Sequence, residues 1–334
     1  MNKLVLMFFY LSLLSSGLFA DVKVGPIGGT GGTQFEERLG YSERICGVYV
    51  NHTPSTIYGI QLDVCDAWGN RSLKAYHGGH KGTSSYMPIA ANDSIQSIDP
   101  TKVPIYGASR VVGLRISTKN KVSKTFGYVG VSLTDTRVRT GGSFYEFITL
   151  PKGYEVHGIF GRAGAALDAL GIIYREIPGE YGQGDSGRFG NVGGGEKAKG
   201  FMDIAMGEER ICGFKVRHGS RIDALQTKMC NLTSGASYYK TRHGGGGGKL
   251  SSFDFLQGES LTAIRGWLGK RNGSTRIFGL EFITSSGRTS ARYGSTTSVP
   301  FEIWVPKDYT VDSITGASGA ALDALGLSFE LTEG

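Results

Sequence analysis

Apolar residues recur at close to every second position along most of the chain, in short runs rich in β-branched side chains. Examples are the runs at 45–50, 57–64 and 111–116, and 277–283 in the second half shows the same pattern. Gly, Asn, Ser or Pro bound these runs, which recur about every ten residues, and no long segment has the 3.6-residue period of a helix. The pattern predicts an all-β sandwich, barrel or prism.

One short stretch, at 165–170, is spaced like a helix. Gly164 and Gly171 bracket it, and it is too short to be a stable helix alone. We therefore predict a loop that leads into a strand.

Four sequence markers recur in the same order in the two halves of the chain. They are Glu-Arg-Ile-Cys-Gly at 43–47 and 209–213, His-Gly-Gly at 77–79 and 243–245, a second cysteine at 65 and 230, and Gly-Ala-Ala-Leu-Asp-Ala-Leu-Gly at 164–171 and 319–326. Such a repeat indicates two homologous domains. We predict that they span 21–177 and 187–334, joined by a linker at 178–186 that is rich in Gly and polar residues.

Composition excludes several classes of protein. Glycine supplies 53 of 334 residues, too many for a helical bundle, because each costs about 1 kcal/mol in a helix interior. The chain is 40% apolar and 19% charged, which is enough for a core and too little charge for a disordered chain. The formal net charge is +7, but the Lys and Arg residues are scattered, so we expect no nucleic-acid partner.

Residues 1–20 have the pattern of an export signal. Lys3 is followed by an apolar stretch at 4–14 and then by small residues up to Ala20, after which we predict cleavage, although Leu18 makes the cleavage site imperfect. No later segment has enough consecutive apolar residues to span a bilayer. We expect a secreted, soluble protein without a membrane span.

The cysteines follow the repeat, with one pair in each half. Four cysteines allow three pairings, and a duplicated chain most simply closes Cys46–Cys65 and Cys212–Cys230. A zinc site is the alternative, but no closely spaced Cys-x-x-Cys or Cys/His pair supports it. We therefore expect two disulfides and neither a metal nor a cofactor.

Three glycine-bearing loops stand out in each half and suggest threefold pseudo-symmetry. The sequence pairs them as 25–32 with 187–194, 77–82 with 243–248, and 164–168 with 319–323. For any single loop, a tight turn is the simpler interpretation.

The third loop carries a chemistry that a turn does not require. Gly164 precedes three backbone N–H groups, and Asp168 supplies a carboxylate that can accept two hydroxyl protons. Donors beside a charged acceptor suit a neutral polyol. The same loop recurs unchanged around Asp323, although a recent duplication would also copy a simple turn.

Taken in order, the first glycine loop, the His-Gly-Gly loop and the Gly-x-x-x-Asp loop resemble those of the jacalin-related lectins over nearly all of both halves. The resemblance implies two tandem β-prism I domains, each with three four-stranded Greek-key sheets around a pseudo-threefold axis. It also implies one sugar site per domain. Carried onto this chain, the binding residues are Gly32, Gly164, Ala165, Ala166, Leu167 and Asp168 in domain one, and Gly194, Gly319, Ala320, Ala321, Leu322 and Asp323 in domain two.

The resemblance also guides the expected ligand. Galactose-preferring members are cleaved ahead of the first glycine loop, whereas 21–32 looks continuous here, which favours glycans or glycoproteins of the mannose or glucose type. Both Asp loops lack the aromatic residue that many members have, so we expect on the order of millimolar affinity for one sugar. Two sites would give avid binding to a glycosylated surface, and association into a homo-oligomer stays open.

Two other functions compete with this interpretation. An enzyme is disfavoured, because there is no Gly-x-Ser-x-Gly elbow, the run ending at Gly248 departs from a phosphate loop, and no second acid recurs beside either loop Asp. A binder of sulfated glycans or acidic lipids would use bases such as Arg162 and Lys81, and an adhesion or targeting role is related to it. Arg162 has no counterpart in domain two, where Ala317 stands.

The histidines and the sequons complete the candidates. His77 and His243 recur beside glycines, where we expect them to anchor a turn rather than bind metal, and His80 has no counterpart. Five Asn-x-Ser/Thr sequons would be modified only in a eukaryotic secretory pathway; they lie at Asn51, Asn70, Asn92, Asn231 and Asn272.

Overall fold

The computed structural model describes residues 21–105, 108–128, 144–145, 148–177, 186–194 and 198–332. Every regular element in these ranges is a β-strand, which confirms the all-β prediction. The predicted export signal and residues 178–185 of the predicted linker lie outside the described ranges. Among the described residues, no helix is long and apolar enough to cross a membrane.

The strands of the first half form pairs joined by short turns. They are β1 (Val22–Gly28), β2 (Thr33–Arg38), β3 (Arg44–Thr53), β4 (Thr56–Cys65), β5 (Arg71–Leu73), β6 (His77–Gly78), β7 (Thr83–Pro88), β8 (Ile95–Ile105), β9 (Ala108–Thr118), β10 (Ser123–Gly127), β11 (Phe144–Tyr145), β12 (Ile148–Thr149), β13 (Tyr154–Ala163) and β14 (Leu167–Glu176).

The strands of the second half repeat this order. They are β15 (Gly187–Gly193), β16 (Lys199–Ile204), β17 (Glu209–His218), β18 (Ile222–Asn231), β19 (Ser237–Tyr239), β20 (His243–Gly244), β21 (Lys249–Asp254), β22 (Leu261–Arg271), β23 (Ser274–Thr284), β24 (Tyr293–Gly294), β25 (Pro300–Trp304), β26 (Tyr309–Ser318) and β27 (Leu322–Leu331).

In each half, three groups of four strands surround a shared apolar core. Domain one contains β2-β13-β14-β1, β5-β4-β3-β7 and β10-β9-β8-β12, and domain two repeats them as β16-β26-β27-β15, β19-β18-β17-β21 and β24-β23-β22-β25. The alternation places Ile60, Leu62 and Val64 of β4 in the core with almost no exposure. The prism with threefold pseudo-symmetry is therefore confirmed.

The helix-like stretch is a loop entering a strand, as predicted. Residues 164–166 form a bend, and β14 begins at Leu167. Both expected disulfides are also present. Cys46–Cys65 joins β3 to β4, and Cys212–Cys230 joins β17 to β18.

The sheets are not confined to single domains, which the sequence analysis did not anticipate. β1 pairs with β25 of domain two, with Val24 opposite Ile303, and β12 pairs with β15, with Ile148 opposite Phe189. Four groups of strands thereby fuse into two long sheets that cross the domain boundary. The fusion pairs backbone N–H and C=O groups that separate domains would leave unpaired at sheet edges.

Aromatic side chains fill the space between the two fused sheets. Tyr174 of domain one lies 5.8 Å, between ring centroids, from Phe189 of domain two, which packs in turn on Phe329 at 4.7 Å. The Tyr174 hydroxyl donates to the Trp304 carbonyl at 2.6 Å, and the Tyr154 hydroxyl donates to the Lys307 carbonyl at 3.1 Å. The domains therefore share one core rather than meeting only through a linker.

Candidate functional site

In domain one, two glycine-bearing loops converge on the carboxylate of Asp168. Asp168 is the second residue of β14 and is only 7% exposed. The N–H of Gly29 donates to its main-chain carbonyl at 2.7 Å, which fixes the first loop beside the third. A Cβ atom on Gly31 would lie 2.7 Å from Oδ1, and one on Gly32 would lie 2.7 Å from Oδ2. Any side chain at either position would cover the carboxylate.

Arg162 holds the first glycine loop in place. Its Nε donates to the Gly31 carbonyl at 2.8 Å, and its Nη2 donates to the Gly32 carbonyl at 2.6 Å. The two bonds use the guanidinium to brace the loop. Arg162, which the rival hypothesis treats as a base for binding polyanions, is thus engaged within the protein.

A second arginine lies close to the carboxylate of Asp168. Arg110, at the start of β9, places Nε 3.8 Å from Oδ1, beyond hydrogen-bond distance. Burial raises the pKa of Asp168, while the positive charges of Arg110, Arg162 and Lys270 lower it. Sequence analysis missed Arg110, because neighbouring hairpins of the prism bring it to the loop from a distant part of the chain.

Gly164 is a glycine that the fold itself does not require. Its backbone lies outside the left-handed region, and an added Cβ would come no closer than 3.4 Å to another atom, the Cα of Gly32. Gly164 and Ala165 are exposed, whereas Ala166, Leu167 and Asp168 are buried. The loop therefore leaves free space directly above a buried carboxylate.

Domain two presents the same loop around Asp323, which is 4% exposed. The Nε atom of Arg276, the counterpart of Arg110, lies 3.4 Å from Oδ1. Burial raises the pKa of Asp323, and Arg276 opposes that shift. At Gly319, the nearest atom to an added Cβ would be Oδ2 of Asp323 at 3.7 Å. The same free space therefore lies above the second carboxylate, with Gly319 and Ala320 exposed and 321–323 buried.

The strand register corrects the pairing of the first loops. The sequence pairing predicted that Gly194 is the counterpart of Gly32. In the structure, Gly28 lies opposite Ala169 and Gly193 opposite Ala324, so Gly194 is the counterpart of Gly29. Gly194 donates its N–H to the Asp323 carbonyl at 2.7 Å, just as Gly29 does to that of Asp168.

The counterpart of Gly32 is Ala198. Thr33 lies opposite Ala163, and Lys199 lies opposite Ser318 at the equivalent position of domain two. The residue before Thr33 is therefore aligned with the residue before Lys199. The domain-two loop is one residue longer, and this shifted the sequence pairing. Its residues 195–197 lie outside the described ranges.

The His-Gly-Gly loops support the Asp loops from the side. A Cβ on Gly79 would lie 2.3 Å from the carbonyl oxygen of Ala165, and one on Gly245 would lie 2.5 Å from that of Ala320. His77 stacks on Phe35 with ring centroids 4.1 Å apart. The histidine therefore packs beside its loop.

His243 has the same packing role in domain two. It stacks on Phe201 at 3.8 Å, and its Nε2 lies 2.9 Å from Oδ1 of Asp203. Across the described part of the chain, no group of three His, Cys, Asp or Glu side chains could hold a metal ion.

Comparison with known proteins gives the family. The family model for the jacalin-like lectin domain matches 24–173 and 186–328. Horcolin from Hordeum vulgare is 29% identical over 140 residues, which is 42% of this chain and 92% of horcolin. Jacalin-related lectin 22 from Arabidopsis thaliana is 24% identical over 319 residues, which is 92% of this chain and 64% of that protein.

A solved structure of AcmJRL, a mannose binding jacalin related lectin from Ananas comosus, shares 28% identity and a TM-score of 0.38, and the match covers 44% of this chain and 98% of that one. The family model covers most of both halves. The chain therefore belongs to the jacalin-like lectin family of carbohydrate-binding proteins.

Proposed function

We propose that the protein is a secreted, non-enzymatic lectin that binds hexoses of the mannose or glucose type at the Asp168 and Asp323 loops. One observation carries the proposal: Gly164 and Gly319 stand where the backbone and the available space would accept a side chain. A glycine that only made a tight turn would have a left-handed backbone or a close neighbour. Free space above a buried carboxylate is what a bound sugar ring needs.

The charge balance suits neutral hydroxyl groups. Arg110 lies too far from Asp168 to hydrogen-bond at 3.8 Å, so its positive charge favours the ionised carboxylate without occupying the lone pairs. A carboxylate in this state can accept protons from two neighbouring sugar hydroxyls. A sulfate or phosphate would instead be repelled by the buried negative charge.

The course of the chain favours mannose or glucose over galactose. β1 continues directly into the first glycine loop and pairs on one side with β14 and on the other with β25. The described chain runs without a gap from Asp21 through this loop. Without an aromatic side chain in the loop, we expect affinity for a single sugar on the order of millimolar.

The fused sheets favour bivalent binding. β1 and β22 both pair antiparallel with β25, so they run in the same direction. β1 leads to the Asp168 loop, and β22 leads to the hairpin that places Arg276 beside Asp323. Both sites then face the same side of a rigid unit, where binding two sugars of one surface can raise affinity by about 10² or more.

Export is part of the proposal. Two disulfides are typical of proteins that mature in an oxidising compartment. Cleavage after Ala20 would leave β1 intact, because that strand begins at Val22.

A sugar titration of the mature chain tests the function. We expect methyl α-mannoside and methyl α-glucoside to shift the amide NMR signals of both Asp loops saturably, with little dependence on salt, and methyl β-galactoside to do so weakly. Asp168→Asn and Asp323→Asn should each weaken binding at their own loop by about 100-fold, because two hydrogen bonds to a charged acceptor are lost.

Two results would overturn the proposal. Loop signals that ignore mannoside and glucoside at high concentration would remove the sugar function. Binding of a sulfated glycan that disappears at high salt, while both Asn variants retain it, would favour the polyanion alternative.

A further inference from the structure

We propose that a groove between the two domains binds the sugar residues that follow a terminal hexose held at the Asp168 loop. The ligand of this site is then an oligosaccharide with a terminal mannose or glucose, and domain two supplies part of the site. The proposal rests on the proposed function, since it extends the Asp168 site to a longer ligand.

The groove lies on the outer face of the fused sheet, where β1 pairs with β25. One row of residues crosses four neighbouring strands there. Phe160 of β13 lies opposite Gly171 of β14, and Gly25 of β1 lies opposite Glu302 of β25. A Cβ on Gly25 would lie 2.9 Å from the Cα of Gly171, so the two glycines are adjacent. The centre of the row therefore has no side chains, which leaves a depression between Phe160 and Glu302.

Phe160 gives the groove an aromatic surface on the domain-one side. A Cβ on Gly171 would lie 2.6 Å from Cε1 of Phe160, so the ring lies over this glycine. Phe160 is partly exposed and its neighbour Ile159 belongs to the core, so the ring faces outwards. On the domain-two side, the groove is lined by the exposed residue Pro300. Its volume is about 320 Å³, within the range of roughly 300–1,000 Å³ for small-ligand sites.

The charged side chains beside the ring are paired. Nζ of Lys23 lies 2.6 Å from Oε2 of Glu36 and 5.4 Å from the centroid of the Phe160 ring. Nε of Arg265 lies 3.4 Å from Oε1 of Glu302. These charges balance, and the partly exposed carboxylates can still accept protons from hydroxyls. A sugar ring has apolar C–H faces and a rim of hydroxyls, so an aromatic surface beside such acceptors suits a neutral sugar.

The groove begins beside the Asp168 loop. Arg162, whose guanidinium holds Gly32 next to the carboxylate, also lines the groove. Gln34 lines it as well and follows Gly32 by two residues, a distance of about 7 Å along a strand. Nε2 of Gln34 donates to the Ser298 carbonyl at 3.1 Å, which ties domain two to this end of the groove. A sugar chain that starts at Asp168 can therefore continue into the groove.

Domain two supplies an internal contrast. The strand register places Thr315 at the position of Phe160. Oγ1 of Thr315 donates to Oδ1 of Asn191 at 3.0 Å, and a Cβ on Gly326, which lies opposite Thr315, would lie 2.9 Å from the same oxygen. A hydroxyl thus replaces the ring, and the asparagine covers the glycine. We expect no extension of the Asp323 site along this face.

Sugar titrations of the mature chain, followed by NMR, test the proposal. The probes are methyl α-mannoside, linear α-linked mannotrioses of different linkage, and maltotriose. We expect at least one trisaccharide to bind the Asp168 loop about tenfold more tightly than the methyl glycoside, because the groove adds hydrogen bonds. The Asp323 loop should show no such gain. The trisaccharide should also shift the indole N–H signal of Trp304, which donates to Oε2 of Glu302 at 2.8 Å, whereas methyl α-mannoside should not.

Two variants test whether the gain comes from the groove. Phe160→Thr should lower the trisaccharide affinity at the Asp168 loop to that of methyl α-mannoside, whose own affinity should not change. Glu302→Gln should weaken trisaccharide binding by about fivefold, because a charged acceptor contributes more than a neutral one. The matched control is Glu281→Gln. Glu281 lies two strands away in the same sheet, 2.8 Å from Nε of Arg292, and its substitution should change neither affinity.

The outcomes separate the two proposals. Equal affinity of the Asp168 loop for methyl α-mannoside and for every trisaccharide would overturn the extended site and leave the proposed function intact. A gain of the same size at the Asp323 loop, or one that survives both Phe160→Thr and Glu302→Gln, would also overturn the extended site. If no sugar bound at either Asp loop, both proposals would fail.

Discussion

The two domains carry an identical octapeptide, yet they surround it differently. In domain one, Gly32 and Arg162 stand beside the Asp loop, and the arginine donates to the loop carbonyls. In domain two, Ala198 and Ala317 stand at those positions and pack together with Ala324 in a small apolar cluster. The same loop is thus supported by hydrogen bonds in one domain and by apolar contact in the other. Identity of a loop sequence does not ensure identity of the contacts that support it.

In the sheets β5-β4-β3-β7 and β19-β18-β17-β21, the hydrogen-bonded support lies in domain two and the apolar side chain in domain one. Domain two has Asp223 and the brace of Arg217 at its β17–β18 hairpin, whereas domain one has buried Ile57 at the aligned position. Each domain therefore has one fully braced carboxylate, but on a different face of its prism.

The largest expected effect tests whether the two domains are separate at all. Phe189→Ala removes a buried ring that lies between Tyr174 of domain one and Phe329 of domain two. We expect a loss of about 3–5 kcal/mol in the free energy of unfolding. Because the core is shared, urea unfolding should remain one transition, followed by fluorescence and by circular dichroism.

The control for this prediction is an exposed aromatic residue. Trp68 is 86% exposed, and Trp68→Ala should leave the midpoint nearly unchanged. Two separate transitions for Phe189→Ala, with only one of them shifted, would mean that the domains unfold independently.

The aligned pair Gly32 and Ala198 gives the next effect. Gly32 has a φ of +64, and a Cβ there would lie 2.5 Å from the carbonyl carbon of Ala163. Gly32→Ala should therefore cost about 2 kcal/mol of stability and block the Asp168 loop. Ala198→Gly should cost about 1 kcal/mol or less. Thermal unfolding measures the stability of the two variants, and mannoside titration measures their sugar binding. Equal losses of stability in the two variants would contradict a difference between the two loops.

Removing the hydrogen bonds from Arg162 to the first glycine loop should have a smaller effect. Arg162→Met keeps most of the side-chain volume but loses the donors to the carbonyls of Gly31 and Gly32. We expect about fivefold to tenfold weaker mannoside binding at the Asp168 loop, because a looser loop must be ordered on binding. Binding at Asp323 should not change. A loss of equal size at both loops would point to a general effect on the fold.

Acid should give the smallest and most gradual change. Burial raises the pKa of Asp168 above its ordinary 3.8, so the carboxylate protonates at a higher pH than an exposed one and then accepts hydroxyls poorly. A raised carboxyl pKa stabilises the folded state at low pH, and this contribution is lost as the pH rises through the folded pKa. Sugar affinity should therefore fall on acidification without any loss of stability from this group.

A pH series of mannoside titrations checks this expectation. The midpoint of the loss should lie above 3.8, and Asp323, whose pKa is also raised, should follow the same direction. A midpoint below 3.8 at the Asp168 loop would mean that the charge of Arg110 outweighs burial.

Sequence reasoning found those features whose signal lies within a short stretch. The octapeptide predicted Asp168 and Asp323 as binding residues, and the proposed function rests on that prediction. The repeat predicted both disulfides, which the structure confirms. Sequence reasoning missed Arg110, because its contact with Asp168 joins two hairpins far apart in the chain. It misaligned Gly194, because one extra residue in the loop shifted the pairing.

The amino-acid sequence by itself determined the strands, the duplication and the position of the loop carboxylates. These depend on local alternation and on short motifs, which act over a few residues. Only the tertiary structure decided which glycines lie over each carboxylate, which arginines brace the loops, and that β1 and β12 pair across the domain boundary. Such contacts depend on packing between distant residues and on the unpaired edges of strands. A strand edge can pair with any strand of matching geometry, so no local pattern of residues specifies its partner.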